Sequence, residues 1–372
     1  MVQLRRRDLI RSLAAAALLG RQAPGASRRR TRNVIVFMTD GLRPEEVFTG
    51  ADAALLEPKL GASEETRRTL ISARAEYGRP TDIERRELLL PFFWKEVGRK
   101  GQIWGNRALG SAARVTNGKN FSYPGYSETF CGFADSRIDS NDKKLNPNVN
   151  VLEWLAGVPE FRGRISAFTS WDVFPWILNA ERSGLPVNSG WTALPGAPTE
   201  KRRLLNRLSE TLTRADEGWR YDALTAEAAL ECLKHDRPRV LFVALDETDG
   251  KAHDGNYPAY LRAARAADHV MRDLWETAQS LTSHRGSTTL IALTDHGRGP
   301  APDGWKNHGA DVIGAEKIWM AMMGPDTPAL GERRNVPEVT QSQIAATIAA
   351  ALGRDFRQAQ PSAAAPLPGF AT

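Results

Sequence analysis

Short runs of apolar, β-rich residues alternate along this chain with longer segments whose apolar residues recur at helical spacing. The short runs have the length and composition of strands, and the longer segments those of helices. Six strands are predicted, over residues 33–39, 102–107, 163–169, 238–245, 288–294 and 317–323. Eight helices are predicted, over residues 63–77, 83–99, 124–134, 149–157, 200–213, 221–235, 257–283 and 340–352. This alternation predicts an α/β fold, a three-layer sandwich whose mostly parallel central sheet carries helices on both faces.

Two stretches interrupt the alternation. Residues 48–82 lead from the first strand into a charged helical segment, and residues 171–220 are rich in tryptophan, proline and glycine. We interpret both as cap-like insertions near the mouth of a site, within one domain that spans residues 31–355. After Arg354 the chain is rich in proline, alanine and serine, which predicts a poorly ordered tail over residues 356–372.

Composition is that of an ordinary soluble globular protein, with 41% apolar and 25% charged residues in a chain of 372. The net charge of +6 is unevenly placed, because residues 1–30 hold eight arginines against one aspartate. Those residues contribute +7, which leaves about −1 for the remainder of the chain. The body of the protein therefore offers no basic patch for nucleic acid or for a membrane surface.

The basic leader has the features of an export signal. Arg6-Arg7-Asp8-Leu9-Ile10-Arg11 follows the twin-arginine pattern, and a mildly apolar stretch with small residues comes after it. That stretch is too short for a stable membrane span. We therefore predict that residues 1–30 engage the twin-arginine export machinery and that the protein is periplasmic or secreted. A basic tail without an export role is the alternative, and the cleavage site is left open.

Carboxylates and imidazoles cluster where predicted strands end. Asp40 follows the strand over 33–39, the segment Asp249-Gly-Lys-Ala-His253 follows the strand over 238–245, and Asp295-His296 follows the strand over 288–294. His308-Gly309 comes a few residues later. In open α/β sheets ligands bind beyond the carboxyl ends of the strands, so these side chains are expected to meet there. Three aspartates and three histidines are enough for two divalent metal ions with open positions.

These blocks, in this order, resemble the alkaline phosphatase superfamily, and within it the nucleotide pyrophosphatase/phosphodiesterase-like branch. The resemblance covers roughly residues 33–325. It also includes the segment Ser122-Tyr-Pro-Gly-Tyr-Ser-Glu-Thr-Phe-Cys-Gly132, which is similar to the nucleophile segment of that branch, and Met322-Met-Gly-Pro325 after the last ligand block. What the resemblance implies is a hydrolase with two metal ions, one held by Asp249, His253 and His308 and the other by Asp40, Asp295, His296 and Ser122. Zinc is the first expectation, with manganese or iron as alternatives.

The resemblance leaves two candidates for the nucleophile. Ser122 fits the phosphodiesterase-like segment and lies at or beside the start of a predicted helix, where free N–H groups favour a phosphoryl group. Ser127 lies in a Gly-Tyr-Ser-Glu block that is similar to the cofactor-independent phosphoglycerate mutases, and Ser122 is the preferred assignment. Asn141 lies where the phosphodiesterase-like branch often has an asparagine that binds a phosphate oxygen.

The function expected from these residues is an exported two-metal hydrolase of small phosphate esters, diesters or monoesters, that acts through a covalent phosphoseryl intermediate. Mutase-like and sulfatase-like members of the superfamily are alternatives, although Cys131-Gly-Phe-Ala-Asp135 lacks the proline and arginine of a sulfatase block. A metal-binding module without catalysis is a third. Whether Cys131 and Cys232 pair is undecided by sequence.

Overall fold

An eight-stranded sheet forms the centre of the protein. The computed structural model describes residues 29–370, so the leader sequence that carries the twin-arginine pattern lies almost wholly outside the described residues. The strand order across the sheet is β5-β4-β6-β1-β7-β8-β2-β9, and a separate two-stranded ladder joins β3 to β10. The strands are β1 Asn33–Thr39, β2 Gly101–Trp104, β3 Ala113–Arg114, β4 Ile165–Thr169, β5 Val187–Ser189, β6 Val240–Leu245, β7 Thr288–Thr294, β8 Met320–Met323, β9 Gly331–Glu332 and β10 Val339–Thr340.

Helices cover both faces of this sheet. They are α1 Pro44–Thr49, α2 Glu64–Tyr77, α3 Asp82–Leu89, α4 Gly98–Lys100, α5 Ser122–Cys131, α6 Val151–Gly157, α7 Phe174–Ile177, α8 Ala180–Ser183, α9 Glu200–Thr211, α10 Asp222–His235, α11 Glu247–His253, α12 Tyr257–Ser280 and α13 Gln343–Ala351. A π-helical turn over Phe93–Val97 leads into α4. None of the helices within residues 29–370 combines the length and the apolar character that crossing a membrane requires.

Alternate residues of β1 pack into two separate cores. Ile35 and Phe37 join the core under α2, α10 and α12, whereas Val34 and Met38 join the core under α5, α6 and α13. Because both faces are covered, β1, β6 and β7 are buried along their whole length. This is the pattern of a central parallel strand. The predicted α/β sandwich with a mostly parallel sheet is confirmed.

One strand runs against the others. β8 is antiparallel to both of its neighbours, β7 and β2, whereas the pairs β4–β6, β6–β1 and β1–β7 are all parallel. A parallel return from β7 would need a crossover to the opposite edge of the sheet. The chain after β7 instead stays at the carboxyl edge as an irregular loop over residues 295–319 and then turns back down the sheet. The reversal is therefore a consequence of the loop that carries the last histidines.

The two predicted insertions pack on the domain in different ways. Within residues 171–220 the chain forms the edge strand β5, parallel to β4, so part of this segment extends the sheet. A short antiparallel bridge then pairs Trp171 with Trp219, whose rings stack at 6.5 Å between centroids. Residues 48–82 form a lobe that ends in α2 and faces the turn between α11 and α12 across a groove.

Residues 356–370 differ from the predicted poorly ordered tail. Phe356, Leu367 and Phe370 are buried at 0–1% exposure in the core beside α6 and α13. The amide N–H of Leu367 donates to the hydroxyl of Thr347 on α13. Three apolar side chains spaced along a proline-rich segment are enough to hold it against the core, which composition alone did not indicate. Cys131 and Cys232 are both buried and free.

Candidate metal centre

The three central strands bring their carboxyl ends together at one edge of the sheet. Asp40 comes directly after β1, α11 begins two residues after β6, and Asp295 comes directly after β7. β1 pairs in parallel with both β6 and β7, so these ends are neighbours. The amide N–H of Asp40 continues the ladder by donating to the carbonyl of Leu245 at 2.8 Å. The architecture thus gathers side chains that lie more than 200 positions apart in the sequence.

Asp40, Asp295 and His296 form one cluster, which we call the buried group. Nε2 of His296 lies 3.2 Å from Oδ1 of Asp40 and 3.5 Å from Oδ2 of Asp295. The side chains of all three are at most 2% exposed. The other carboxylate oxygen of Asp295 accepts the amide N–H of Gly41 at 3.0 Å, which fixes the carboxylate across the β1 and β7 ends.

Asp249, His253 and His308 form a second cluster, the rim group. Asp249 and His253 are four residues apart on α11, so the helix places them on one face, with 3.2 Å between Oδ2 and Nε2. His308 arrives from the loop after β7 and brings its Nε2 to 3.0 Å from that of His253. The His253 side chain is 47% exposed, so this group opens toward solvent. The two groups adjoin, because Oδ1 of Asp249 lies 3.8 Å from Nε2 of His296.

Backbone carbonyls determine which imidazole nitrogen faces the site. Nδ1 of His296 lies 2.9 Å from the carbonyl of Gly297, and Nδ1 of His308 lies 3.2 Å from the carbonyl of Asn120. A carbonyl oxygen only accepts, so Nδ1 carries the proton in both rings. Nε2 of each ring then faces the clustered atoms and, once it is deprotonated, offers them a lone pair. This is the arrangement that metal-binding histidines use, with the second ring nitrogen held by the protein.

The pKa values of the histidines shift in opposite directions in the two groups. Burial lowers the pKa of His296, but Asp295 and Asp40 outweigh it and raise that pKa to about 9. Burial and the neighbouring Asp40 carboxylate raise the pKa of Asp295 to about 8. In the rim group, burial and then the charge of His296 lower the pKa values of His253 and His308. Without a cation the buried group therefore retains at least one proton at neutral pH, whereas the rim histidines are neutral.

Ser122 lies against the buried group. It is the first residue of α5, and its Oγ is 3.5 Å from both Oδ1 of Asp40 and Nε2 of His296. Tyr126, one helical turn further, donates its hydroxyl to Oδ2 of Asp40 at 3.1 Å. The helix also approaches the β7 end very closely, since a Cβ added to Gly125 would lie 2.5 Å from the carbonyl oxygen of Asp295. Glycine at position 125 is what lets α5 bring Ser122 this near.

The alternative nucleophile lies elsewhere. Ser127 accepts a hydrogen bond from Nδ2 of Asn146 at 3.0 Å and is buried, five residues along α5 from Ser122. Asn141, the expected phosphate-binding asparagine, accepts the amide N–H of Tyr123 through its Oδ1 at 3.0 Å. Asn141 therefore lies at the N-terminus of α5, next to Ser122, with its side-chain N–H₂ available. The structure thus brings Ser122 to the ligand cluster and Asn141 to the first turn of α5, and it leaves Ser127 outside the cluster.

No role was predicted for Arg298, although it lies in the same sequence block as Asp295 and His296. Its side chain is fully buried and its Nη2 contacts Oδ1 of Asp249. Tyr126 was also missed, although its spacing of four from Ser122 on a predicted helix indicates a shared face. Asn120 holds His308 through a backbone carbonyl, a contact that no side-chain pattern reveals.

The residues present fit a pair of divalent cations. Each group offers oxygen and nitrogen ligand atoms that all lie within 4.8 Å of one another. Oδ2 of Asp295 is buried and has no hydrogen-bond partner, which is costly unless a cation or a proton satisfies it. Carboxylates and imidazoles without a thiolate suit zinc, manganese or iron. Six of the seven predicted ligands thus lie in two groups of three, in the grouping that the resemblance implied, and the seventh, Ser122, lies beside the buried group.

Comparison with known proteins gives the class. The profile of the family described as type I phosphodiesterase / nucleotide pyrophosphatase matches residues 71–355. This match covers well over half of the chain, so the protein belongs to that family, and the predicted resemblance to the alkaline phosphatase superfamily is confirmed. No curated protein matches the sequence.

Solved structures share the fold at low sequence identity. Ps i-CgsB is 14% identical with a TM-score of 0.53, over 91% of this chain and 76% of that one. The lipoteichoic acid synthase LtaP from Listeria monocytogenes is 10% identical with a TM-score of 0.53, over 92% and 75%. A Bacteroides thetaiotaomicron protein from a locus for glycosaminoglycan metabolism is 11% identical with a TM-score of 0.51, over 88% and 76%. At these identities the likeness concerns the fold alone.

Proposed function

We propose that this protein is an exported hydrolase of phosphate esters that uses two divalent metal ions, with zinc as the first candidate, and Ser122 as its nucleophile. One observation carries the proposal. The hydroxyl of Ser122 lies 3.5 Å from a carboxylate oxygen and an imidazole nitrogen of the buried group, at the N-terminus of a ten-residue helix. A nucleophilic oxygen beside a cation site and a helix N-terminus is the arrangement that phosphoryl transfer needs.

The chain supplies every ligand and orienting group that the reaction requires. The buried group and the rim group would each hold one ion, and the pair supplies charge that stabilises the attacking and leaving oxygens. The hydroxyl of Tyr126 orients the Asp40 carboxylate. The amide N–H of Gly41 orients Asp295 in the same way. The amide N–H of Ser122, the first residue of α5, and the side-chain N–H₂ of Asn141 would bind the non-bridging phosphate oxygens.

The reaction proceeds in two displacements at phosphorus. In the first, Oγ of Ser122 loses its proton to solvent and forms a bond to phosphorus, the ester P–O bond breaks, and the alcohol leaves with a proton from solvent. In the second, water attacks the phosphoseryl group and gives up a proton, the bond from phosphorus to Oγ breaks, and Oγ takes up a proton. The product that leaves is a phosphate monoester when the substrate is a diester, and phosphate when the substrate is a monoester. Asp40 and His296 remain beside Oγ throughout, so the same residues orient the attacking oxygen in the first step and the departing oxygen in the second.

Diesters are the preferred substrates in this proposal. A monoester carries a second negative charge, which phosphatases usually meet with an additional cationic side chain. The nearest buried cation, Arg298, directs its donors to Asp249 and to backbone carbonyls. Lys143, close to Asn141 in sequence, is paired with Asp172 at 2.6 Å. Both cations are engaged, which supports a substrate with a single charge on the phosphoryl group.

Replacement of Ser122 tests the proposed nucleophile. Ser122→Ala should lower hydrolysis of bis-4-nitrophenyl phosphate by several orders of magnitude, because the covalent route is removed, while both ions stay bound by their six protein ligands. Ser127→Ala is the matched control on the same helix and should retain turnover. Acid quenching during turnover should trap a 4-nitrophenyl phosphoryl group on the peptide that contains Ser122. A label on Ser127 would favour the mutase-like alternative.

A panel of esters and a chelator separate the remaining readings. Hydrolysis of diesters ahead of monoesters and sulfate esters supports the proposal, whereas preference for a sulfate ester favours a sulfatase. Full activity after exhaustive removal of metal would refute the two-metal reading. Protein that binds metal and hydrolyses none of the esters would support the alternative of a metal-binding module without catalysis.

Export is tested separately with the leader. Residues 1–30 fused to a reporter should be exported by the twin-arginine route, and replacement of both Arg6 and Arg7 by lysine should retain the fusion in the cytoplasm. Unchanged export of the double variant would mean that the leader works by another route.

A further inference from the structure

Arg298 is a fully buried cation next to the metal centre. It lies four residues after β7 in the Asp295-His296-Gly297-Arg298 block, and its side chain has 0% exposure. Burial lowers the pKa of its guanidinium to about 10, against the opposing effect of Asp40, so the group stays charged at neutral pH. A charge buried this completely is costly unless hydrogen bonds and counter-charges surround it. The partners of Arg298 are therefore informative.

Those partners lie on separate ligand-bearing segments. Nε donates to the carbonyl of Gly41 at 3.2 Å, one residue after Asp40. Nη2 donates to the carbonyl of Asp249 at 3.2 Å and also contacts its carboxylate Oδ1. Nη1 donates to the carbonyl of Lys306 at 2.8 Å, two residues before His308. Arg298 itself follows Asp295 and His296, so one guanidinium joins the four segments that carry all six ligands.

The geometry of the contact requires arginine. A guanidinium holds its five N–H donors in a rigid planar fork, whereas a lysine ammonium is a single point of charge. Gly41 shows how closely the chain packs around this fork. A Cβ added to Gly41 would lie 2.8 Å from both Nε of Arg298 and Oδ1 of Asp249, and the φ of +57° also favours glycine at this position. The chain therefore makes room for the guanidinium at the point where three segments converge.

We propose that Arg298 is the positioning residue of the metal centre. It holds the Asp249 carboxylate and the loop leading to His308 in the geometry that lets the rim group bind a divalent ion. The inference rests on the proposed metal centre, and it requires no particular ester substrate. Arg298 acts through Asp249 and through backbone carbonyls, and it does not contact the reacting atoms.

Charge and positioning predict opposite results when Arg298 is replaced. A cation beside Asp249 repels a metal ion, so loss of the charge alone would strengthen binding at the rim group. Loss of an orienting partner of a ligand weakens metal binding by about ten- to a hundredfold. The sign of the change in affinity therefore distinguishes the two roles without any measurement of catalysis.

The test is a calorimetric titration of metal-free Arg298→Met protein with zinc. Two binding steps are expected in the wild type, and the step that His253→Ala removes identifies the rim group. In Arg298→Met that step should weaken by about ten- to a hundredfold, whereas the other step should change little. Cobalt titrated into the same proteins should show a changed visible spectrum for the rim ion, which reports its ligand geometry.

Arg220→Met is the matched control. Arg220 is also buried and charged, and it donates to Thr225, to Asn188 and to the carbonyl of Thr169, none of which is a candidate ligand. This variant should lose stability and yet keep both zinc steps and the cobalt spectrum. Arg298→Lys keeps the charge and loses the fork, so it should weaken the rim step as well, and it serves if Arg298→Met does not fold.

Each outcome has a defined meaning. Unchanged or tighter zinc binding at the rim group in both Arg298 variants would overturn the inference while leaving the proposed hydrolase intact. Wild-type protein that binds zinc twice without hydrolysing any ester would refute the proposed reaction, and the Arg298 comparison could still be completed. Wild-type protein that binds no divalent ion would refute both.

Discussion

The buried group and the rim group contain the same kinds of ligand and are built in different ways. The buried group lies on strand ends and a tight turn, with its side chains at most 2% exposed. The rim group lies on a seven-residue helix and a long loop, with His253 half exposed. One site is thus fixed by the sheet itself, whereas the other depends on elements laid over the edge of the sheet.

This difference suits the two proposed metal sites to different roles. Rigid, buried ligands hold an ion without reorganising, which suits the site that must position the Ser122 oxygen. Ligands on a short helix at the surface can exchange with water, which suits a site that meets the leaving group and incoming water. We therefore expect the buried group to retain its ion more tightly than the rim group, and four measurements can break or sharpen this comparison.

The largest effect is expected from removal of one histidine in each group. His296→Ala should remove one ion and lower ester hydrolysis by several orders of magnitude, since it strips the site next to the nucleophile. His253→Ala should also remove one ion, with a smaller loss of rate, because the ion beside Ser122 stays in the buried group. Elemental analysis and initial rates on both variants check this. Two ions retained in both would mean that the grouping is wrong.

Proton release should differ between the groups as well. Without metal, burial and the neighbouring charges raise the pKa of Asp295 to about 8 and that of His296 to about 9, so the buried group holds one or two protons that an incoming ion must displace. Its apparent zinc affinity should therefore fall about ten- to a hundredfold for each unit that pH decreases from 8 to 6.

The rim step should be flat over the same range, because the pKa values of His253 and His308 are lowered and both rings are already neutral. Calorimetric titrations in two buffers with different ionisation enthalpies count the released protons for each step. Equal proton release from both steps would remove this distinction between the groups.

A single methyl group tests how tightly the buried group is packed. In Gly125→Ala the new Cβ would lie 2.5 Å from the backbone oxygen of Asp295, so α5 and the β7 end must separate. Overpacking of this kind costs about 1–3 kcal/mol, and here it also moves Ser122 away from Asp40 and His296. Thermal unfolding and turnover should both decline. A variant with normal activity would show that the helix tolerates more distance than we infer.

The smallest effect is expected from the equivalent change in the rim group. Gly250 lies within α11 between Asp249 and His253, and nothing lies within 4 Å of an added Cβ. Gly250→Ala should therefore stabilise the helix by up to about 1 kcal/mol, through helix propensity alone. Zinc binding and activity should stay at the wild-type level. A loss of the rim ion would indicate that α11 must bend when it binds metal.

Sequence patterns were sufficient for the parts of the site that strands and helices position directly. Asp40 and Asp295 follow long apolar runs, and those runs become adjacent parallel strands whose ends meet. The spacing of four between Asp249 and His253 needs only a helix to bring them together. These features are local, so they can be read before the fold is known.

Contacts between distant segments could not be predicted in this way. Nothing in the sequence around Arg298 indicates that its guanidinium reaches Gly41, Asp249 and Lys306 across the edge of the sheet. The antiparallel direction of β8 depends on the path of the preceding loop, which carries no periodic pattern. The buried tail was mispredicted because the few apolar residues that anchor it are diluted by proline and alanine.

The order of strands across the sheet has a consequence for synthesis of the protein. Asp40 emerges early from the ribosome, and His308 emerges 268 residues later. At about 5–20 residues per second, translation takes roughly 15 to 50 seconds to span that interval. β1 lacks its partner β6 until residue 245 has been made, and its partner β7 until residue 294 has been made. No nascent chain shorter than 308 residues can assemble both ligand groups. Metal capture is therefore confined to the last part of translation or to the time after release.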